Sequence, residues 1–241
     1  MSRKDLTDAY IQKYPYPRRR LIRRILQGLI IVASAALTEY HIEGKENLPK
    51  DGPLLIVGNH FHFLDSIGPI RSTNYLIEFI NDLEMPNAPA SMRFLPSLWG
   101  TLKILQGSPN LESMRAAEAI LTQGGVLGIF PEGHVHPAPL GKPLPGAAFL
   151  ALRSGAPILP ISTYSEDSWD LFGTLRKKKR RARVISRIGK PFGPLAKGSL
   201  SKVPLREEVK AAGWEIMSHI AELLPHHARG IYTQPIEETF A

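Results

Sequence analysis

Leu54-Leu55-Ile56-Val57-Gly58-Asn59-His60-Phe61-His62-Phe63-Leu64-Asp65 opens as four apolar residues and turns abruptly polar. The turn signal Pro49-Lys50-Asp51-Gly52-Pro53 precedes it. A short run of Leu, Ile and Val bounded by turn residues predicts a strand buried on both faces, as in a parallel sheet. His60 and Asp65 follow its end. In open α/β sheets ligands bind outside the carboxyl ends of the strands. A His near a carboxylate there is a candidate general base, with the carboxylate fixing the tautomer and stabilising the imidazolium.

Outward from this stretch, strand and helix signals alternate. Strands are predicted at 40–44, 54–58, 75–80, 101–105, 126–130, 157–163 and 183–188. Helices are predicted at 66–73, 94–100, 111–122 (with Asn110 as N-cap), 145–154 and 203–224, the last interrupted near Gly213. The stretch 81–92 reads as a loop. This pattern predicts one α/β domain over residues 40–241, a mostly parallel central sheet with helices on both faces. Three predicted strands end in polar clusters: Asn59-His60, Glu132-Gly133-His134 and Ser162-Thr163-Tyr164. A parallel sheet would bring those clusters to one edge.

The 241 residues are 43% apolar and 22% charged, enough for a substantial core. Cys is absent, which excludes disulfides, thiolate-bound metals and a Cys nucleophile. The net charge of +8 is concentrated in two places. Residues 1–24 hold eight Lys/Arg against two Asp, and residues 171–190 hold nine with no acid, leaving 13 basic and 20 acidic residues elsewhere. Two basic patches suit an anionic surface, lipid or nucleic acid.

The N-terminal patch includes Arg18, Arg19, Arg20, Arg23 and Arg24, followed by the uncharged stretch 25–38. Fourteen helical residues reach only ~21 Å, short of the ~30 Å hydrocarbon core. Residues 1–39 therefore read as an appendage whose helix lies in a membrane interface, its arginines reaching phosphates. A helix packed on the protein's own core is the alternative. The second patch, Arg176-Lys177-Lys178-Lys179-Arg180-Arg181, reads as a loop or hairpin between strands. No aromatic residues are interleaved, so the expected partner is a lipid surface, an acidic acyl carrier protein or the phosphates of CoA, and not nucleic acid.

Asn59-His60-x4-Asp65 resembles the N-H-x4-D motif of the glycerolipid acyltransferases, and Phe130-Pro131-Glu132-Gly133 resembles their F-P-E-G motif. Ala156-Pro157-Ile158-Leu159-Pro160 and Ile188-Gly189-Lys190-Pro191 are similar to later motifs of that family, and the likeness covers residues 40–195. The bacterial 1-acylglycerol-3-phosphate acyltransferases are the nearest group. The resemblance implies an O-acyltransferase in which His60 deprotonates an acceptor hydroxyl, Asp65 orients His60, and acyl-CoA or acyl carrier protein is the donor substrate. It implies no cofactor and no metal, and a peripheral or monotopic place at the cytoplasmic face of a membrane. Asn59, Glu132, Gly133, His134, His136 and Gln106 would line the acceptor site.

Three departures from the family pattern stand out. Gln106, Val135 and Leu144 occupy positions where the family carries Arg or Lys for the acceptor's phosphate. An acceptor other than lysophosphatidic acid is the resulting expectation. Two other readings compete. One is a lipid-binding protein with a degenerate site on the same fold. The other is a metal-dependent hydrolase using the His-x-His pairs His60/His62 and His134/His136 with Asp65 and Glu132.

Overall fold

The computed structural model describes residues 3–82, 89–104, 111–195 and 206–233. Seven strands lie in one sheet: β1 (Thr38–Glu43), β2 (Leu54–Val57), β3 (Glu78–Asp82), β4 (Leu102–Ile104), β5 (Val126–Ile129), β6 (Ile158–Ser165) and β7 (Ala182–Ile188). Their order is β1-β7-β6-β2-β5-β3-β4. All pairings are parallel except β6 with β7. Strand β2 sits at the centre, between β5 and β6, and all four of its residues are buried. Its apolar run is explained by its two covered faces.

Alternation along β2 divides the core. Leu55 and Val57 join one apolar cluster with α5 (Leu111–Thr122), α6 (Pro145–Ser154) and α8 (Arg206–Glu222). Leu54 and Ile56 join the other, which Leu26 and Ile30 of α2 (Arg20–Leu37), Ile70 of α3 (Ile67–Ser72) and Trp99 of α4 (Leu95–Trp99) help to close. Helix α1 (Arg3–Lys13) lies on α5, where Lys13 pairs with Glu112.

Three elements depart from the sequence expectations. The basic run 176–181 is not a simple loop: α7 (Leu171–Lys178) forms there, capped by Asp170, whose side chain accepts the Gly173 amide at 2.9 Å. The scarcity of apolar residues hides this helix, because only Thr174 on it is buried. Helix α8 runs unbroken through Gly213, which is buried where a Cβ would lie 3.3 Å from Pro143 Cγ. That glycine serves a close helix contact and not a break. Strand β3 starts at Glu78, three residues later than expected, with Leu76 and Ile77 buried ahead of it. Asn110, the expected cap of α5, lies outside the described residues.

Helix α2 leads straight into β1 and is anchored by polar groups. Arg23 is fully buried, paired with Glu78 at the start of β3, and donates to Trp99 O at 2.9 Å. Arg18 bonds the same carboxylate at 2.5 Å. Arg19 donates to the carbonyls of Ser97 and Leu98, and Arg24 to Asn74 O and the side chain of Gln27. Arg20 is exposed. The expectation that all five arginines face lipid is therefore corrected for Arg18 and Arg23. A guanidinium is buried when a carboxylate and carbonyls replace its hydration, and here they do.

Candidate active site

The carboxyl ends of β2, β5 and β6 form one edge, and the polar clusters meet there. Asn59 follows β2 and is buried. Its side-chain amide donates to Thr163 O at 2.8 Å, and its Oδ1 accepts Thr163 N–H at 2.9 Å. The amide thus continues the β2–β6 ladder with a side chain in place of a backbone. Both ends of Asn59 are engaged, and its side chain holds two strands together.

Phe130-Pro131-Glu132-Gly133 is a tight turn closed by Gly133 N–H to Phe130 O at 3.0 Å. Pro at the second position and Gly at the fourth suit such a turn. Gly133 has φ +73°, and a Cβ there would overlap the Leu144 side chain. The turn aims Glu132 inward, where it is fully buried. Oε2 accepts the backbone N–H of His60 at 2.9 Å, while Oε1 accepts Gly141 N–H at 2.8 Å and meets His136 Nε2 at 2.6 Å. The His136 amide donates to His60 O at 3.1 Å. The two motifs are thus bonded together at the backbone of His60. Glu132 bonds protein groups, not open space, and its expected contact with an acceptor becomes a positioning role.

The His60 ring stacks on Phe130, with centroids 4.2 Å apart. Burial, reinforced by neighbouring His136, His62 and His134, lowers its pKa to about 3. The imidazole is therefore neutral at physiological pH, the form that accepts a proton. Its Nδ1 is buried with no hydrogen-bond partner.

Asp65 is also buried, in a short 3-10 turn over Phe63–Ser66. His62 caps that turn: its Nδ1 accepts Leu64 N–H at 3.2 Å, while Asp65 Oδ2 accepts His62 N–H at 2.8 Å. This reciprocal pair is a capping box built from His and Asp. The other carboxylate oxygen, Oδ1, accepts the indole N–H of Trp169 at 2.9 Å. Burial raises Asp65 to about 7, although the His62 amide and the Trp169 indole oppose the rise. The expected hydrogen bond from His60 to Asp65 is not made in this conformation.

Trp169 was not among the residues the sequence singled out. It follows β6 in a turn where Ser168 and Trp169 both adopt left-handed backbone angles, φ 49° and 58°. Ser165 Oγ accepts its amide at 3.0 Å. Nearby, Asp167 accepts Arg180, Lys178 and the Arg183 amide, and Arg180 foremost holds its carboxyl far below the ordinary range. The only local signal was a polar, turn-forming stretch just past a strand end.

The remaining expected residues divide. His134 is exposed and His136 half-buried, with ring centroids 5.3 Å apart. Val135 is half-buried and Leu144 is exposed at the start of α6. Gln106 lies outside the described residues. Among the described residues no group of three or more His, Asp or Glu side chains is placed to hold a metal ion. His62 Nδ1 and His136 Nε2 already have protein partners. Arg176, Lys177, Lys178, Lys179, Arg180 and Arg181 lie on and after α7.

The model of the Acyltransferase family matches residues 39–164. An uncharacterized protein of Mycobacterium tuberculosis (strain H37Rv) is 27% identical over 185 residues, as is one of Mycobacterium bovis. Each match covers 71% of this chain, and the chain spans about half the length (50%) of these curated relatives. Among solved structures, the 1-acyl-sn-glycerophosphate acyltransferase PlsC from Thermotoga maritima superposes with a TM-score of 0.54 at 23% identity. That match covers 90% of this chain and 86% of PlsC, which places the two in one fold.

Proposed function

Because the chain belongs to the Acyltransferase family, we propose that it moves a fatty acyl group from acyl-CoA or acyl carrier protein to a hydroxyl of a lyso-glycerolipid acceptor. His60 takes the hydroxyl proton as the oxygen attacks the thioester carbonyl. The C–S bond breaks, and the departing thiolate recovers that proton from the imidazolium. Ionised Asp65 stabilises the imidazolium. The pairing of His60 with Asp65 closes when the site is occupied, as acid–base contacts commonly tighten only with substrate bound. The observation that supports this reading best is the placement of a neutral His60, with an unpartnered buried Nδ1, at the carboxyl edge of the sheet.

The acceptor is less acidic than lysophosphatidic acid. Val135 and Leu144 supply no charge where a phosphate would be gripped, and Arg holds phosphate because its fork binds two oxygens. The exposed His134 lies close to His60 instead and can offer a hydrogen bond to a hydroxyl group, while both ring nitrogens of His136 are already engaged by Pro137 O and Glu132. Thiol release from acyl-CoA, measured with lysophosphatidate and with an uncharged lyso-lipid, tests this. Comparable rates support it, and strict dependence on the phosphate overturns it.

The reaction takes place at a membrane surface. None of the described helices is long and apolar enough to cross a bilayer. Helix α2, however, is inverted: Arg23, Gln27 and Ser34 are buried, while Leu21, Ile25, Leu29 and Val32 are 55–74% exposed. A helix with its polar side anchored inward and its apolar side outward is suited to lie in the interface, apolar face down.

A further inference from the structure

Helix α7 carries a second outward apolar surface. Phe172 is 75% exposed and Leu175 52%. Positions 172, 175 and 176 are spaced i, i+3 and i+4, so these two side chains share a helix face with Arg176, and Lys179 follows at the left-handed C-cap. The six cations of this stretch have separate fates. Lys178 and Arg180 pair with Asp167, and Arg181 donates to Ala35 O at 2.7 Å. Arg176, Lys177 and Lys179 are exposed and have no hydrogen bond or ion pair among the described residues. The inward side is fixed by buried Thr174 and by the Asp170 cap.

The topology gives α7 its significance. Strand β7 is antiparallel to β6, with Ser165 opposite Val184, and β1 runs parallel to β7. The starts of β1 and β7 therefore lie at the edge where β6 ends, the edge that holds His60. Helix α7 bridges β6 and β7 at that edge, and Arg181 ties its far end to the last turns of α2.

We propose that α7 is a second lipid-contacting helix, with Phe172 and Leu175 entering the apolar layer of a bilayer while Arg176, Lys177 and Lys179 meet anionic headgroups. The inference rests on the membrane-surface reading of α2 and adds the contact that brings the active-site edge to the lipid. A short basic helix with large apolar residues among its cations suits an anionic interface. An acidic carrier protein would be attracted by the same cations, but it leaves a 75% exposed Phe unexplained.

The absence of Cys makes the test direct. Phe172→Cys and, separately, Ile25→Cys each provide one site for an environment-sensitive fluorophore. With vesicles of phosphatidylcholine and phosphatidylglycerol, both labels are expected to shift blue and to be quenched by a lipid-borne quencher. A response at 25 with none at 172 overturns the α7 contact and leaves the α2 reading standing. Silence at both positions overturns the two together. A label at 172 that responds to acyl carrier protein and not to vesicles overturns the proposal in favour of a protein partner. Replacing Arg176, Lys177 and Lys179 together by Gln is expected to weaken binding to these vesicles on the order of a hundredfold at low salt, from about fivefold per cation. Unchanged affinity contradicts the assignment.

Discussion

The indole N–H of Trp169 donates to Oδ1 of Asp65 at 2.9 Å, joining the turn after β6 to a carboxylate 104 positions earlier in the chain. Asp65 is pushed up to about 7 by burial, and this bond is one of the groups holding it down. Trp169→Phe keeps the apolar bulk and deletes the donor. A hydrogen bond to a charged group contributes about 1.5–3 kcal/mol. The variant is expected to lose stability of that order above pH 7, where Asp65 is ionised, and less below it. Its kcat should fall more than its KM rises, with the acid limb of the rate profile displaced to higher pH. A uniform loss of stability at every pH would mean that Trp169 serves packing alone.

Asp65 itself gives a pH signature with a definite sign. Its folded pKa of about 7 lies above the unfolded value near 3.8, so the folded state holds the extra proton between them. Stability from this group is full below pH 4 and is lost as pH rises to 7. His60 works oppositely: its folded pKa near 3 lies below 6.5, so its contribution is lost as pH falls through that window. The two largely cancel in the wild type. Asp65→Asn removes one side. Relative to wild type its unfolding free energy should rise with pH from about 4 to 7, by at most about 1.4 kcal/mol per unit. Denaturant titrations across that range measure the slope, and a flat difference would contradict a buried, protonated Asp65.

Glu132 receives three hydrogen bonds: two from backbone amides and one with His136. A Gln side chain turns one acceptor into a donor and leaves an amide of His60 or Gly141 facing it. Each buried donor left unpaired costs about 1–3 kcal/mol. Glu132→Gln is expected to lower both the melting temperature and kcat, with KM for the acyl donor little changed. Wild-type kcat with reduced stability would show that the carboxylate supports the loop without setting the position of His60.

The buried Arg18–Glu78–Arg23 cluster ties α2 to the sheet. Glu78→Ala leaves the fully buried Arg23 without its counterion and should cost about 3–5 kcal/mol. Arg18→Ala should cost less, because Arg18 is partly exposed and Arg23 keeps Glu78 paired. Equal costs, read from denaturant midpoints, would contradict this ordering.

The sheet was legible because its strands announce themselves. Leu54–Val57, Val126–Ile129 and Ile158–Ile161 are short, largely apolar runs, and all but the half-buried Ile129 are buried as expected. The meeting of Asn59-His60 with Glu132 followed from parallel strands ending together. What stayed hidden was which polar groups would be consumed inside the protein. Arg23 looks like its neighbours in an arginine cluster, yet a carboxylate 55 residues away draws it into the interior. Asn59 looks like a ligand for an acceptor, yet its amide completes a ladder with Thr163. Trp169 sits in no motif, and only the fold brings its indole to Asp65. Long-range pairing decides these roles, and local pattern carries no record of it. Helix α7 escaped because its outward face is apolar and basic in a stretch dominated by charge.

The central claim is that His60 removes the proton from the acceptor hydroxyl. Its most direct test is acceptor-dependent thiol release from acyl-CoA by the wild type and by His60→Ala, in samples shown by circular dichroism to share one fold. General-base assistance contributes ~10²–10⁴ in rate, so His60→Ala is expected to fall by at least about a hundredfold in kcat, with the fold intact. A His60→Ala enzyme that releases thiol at the wild-type rate with the same acceptor would contradict the account.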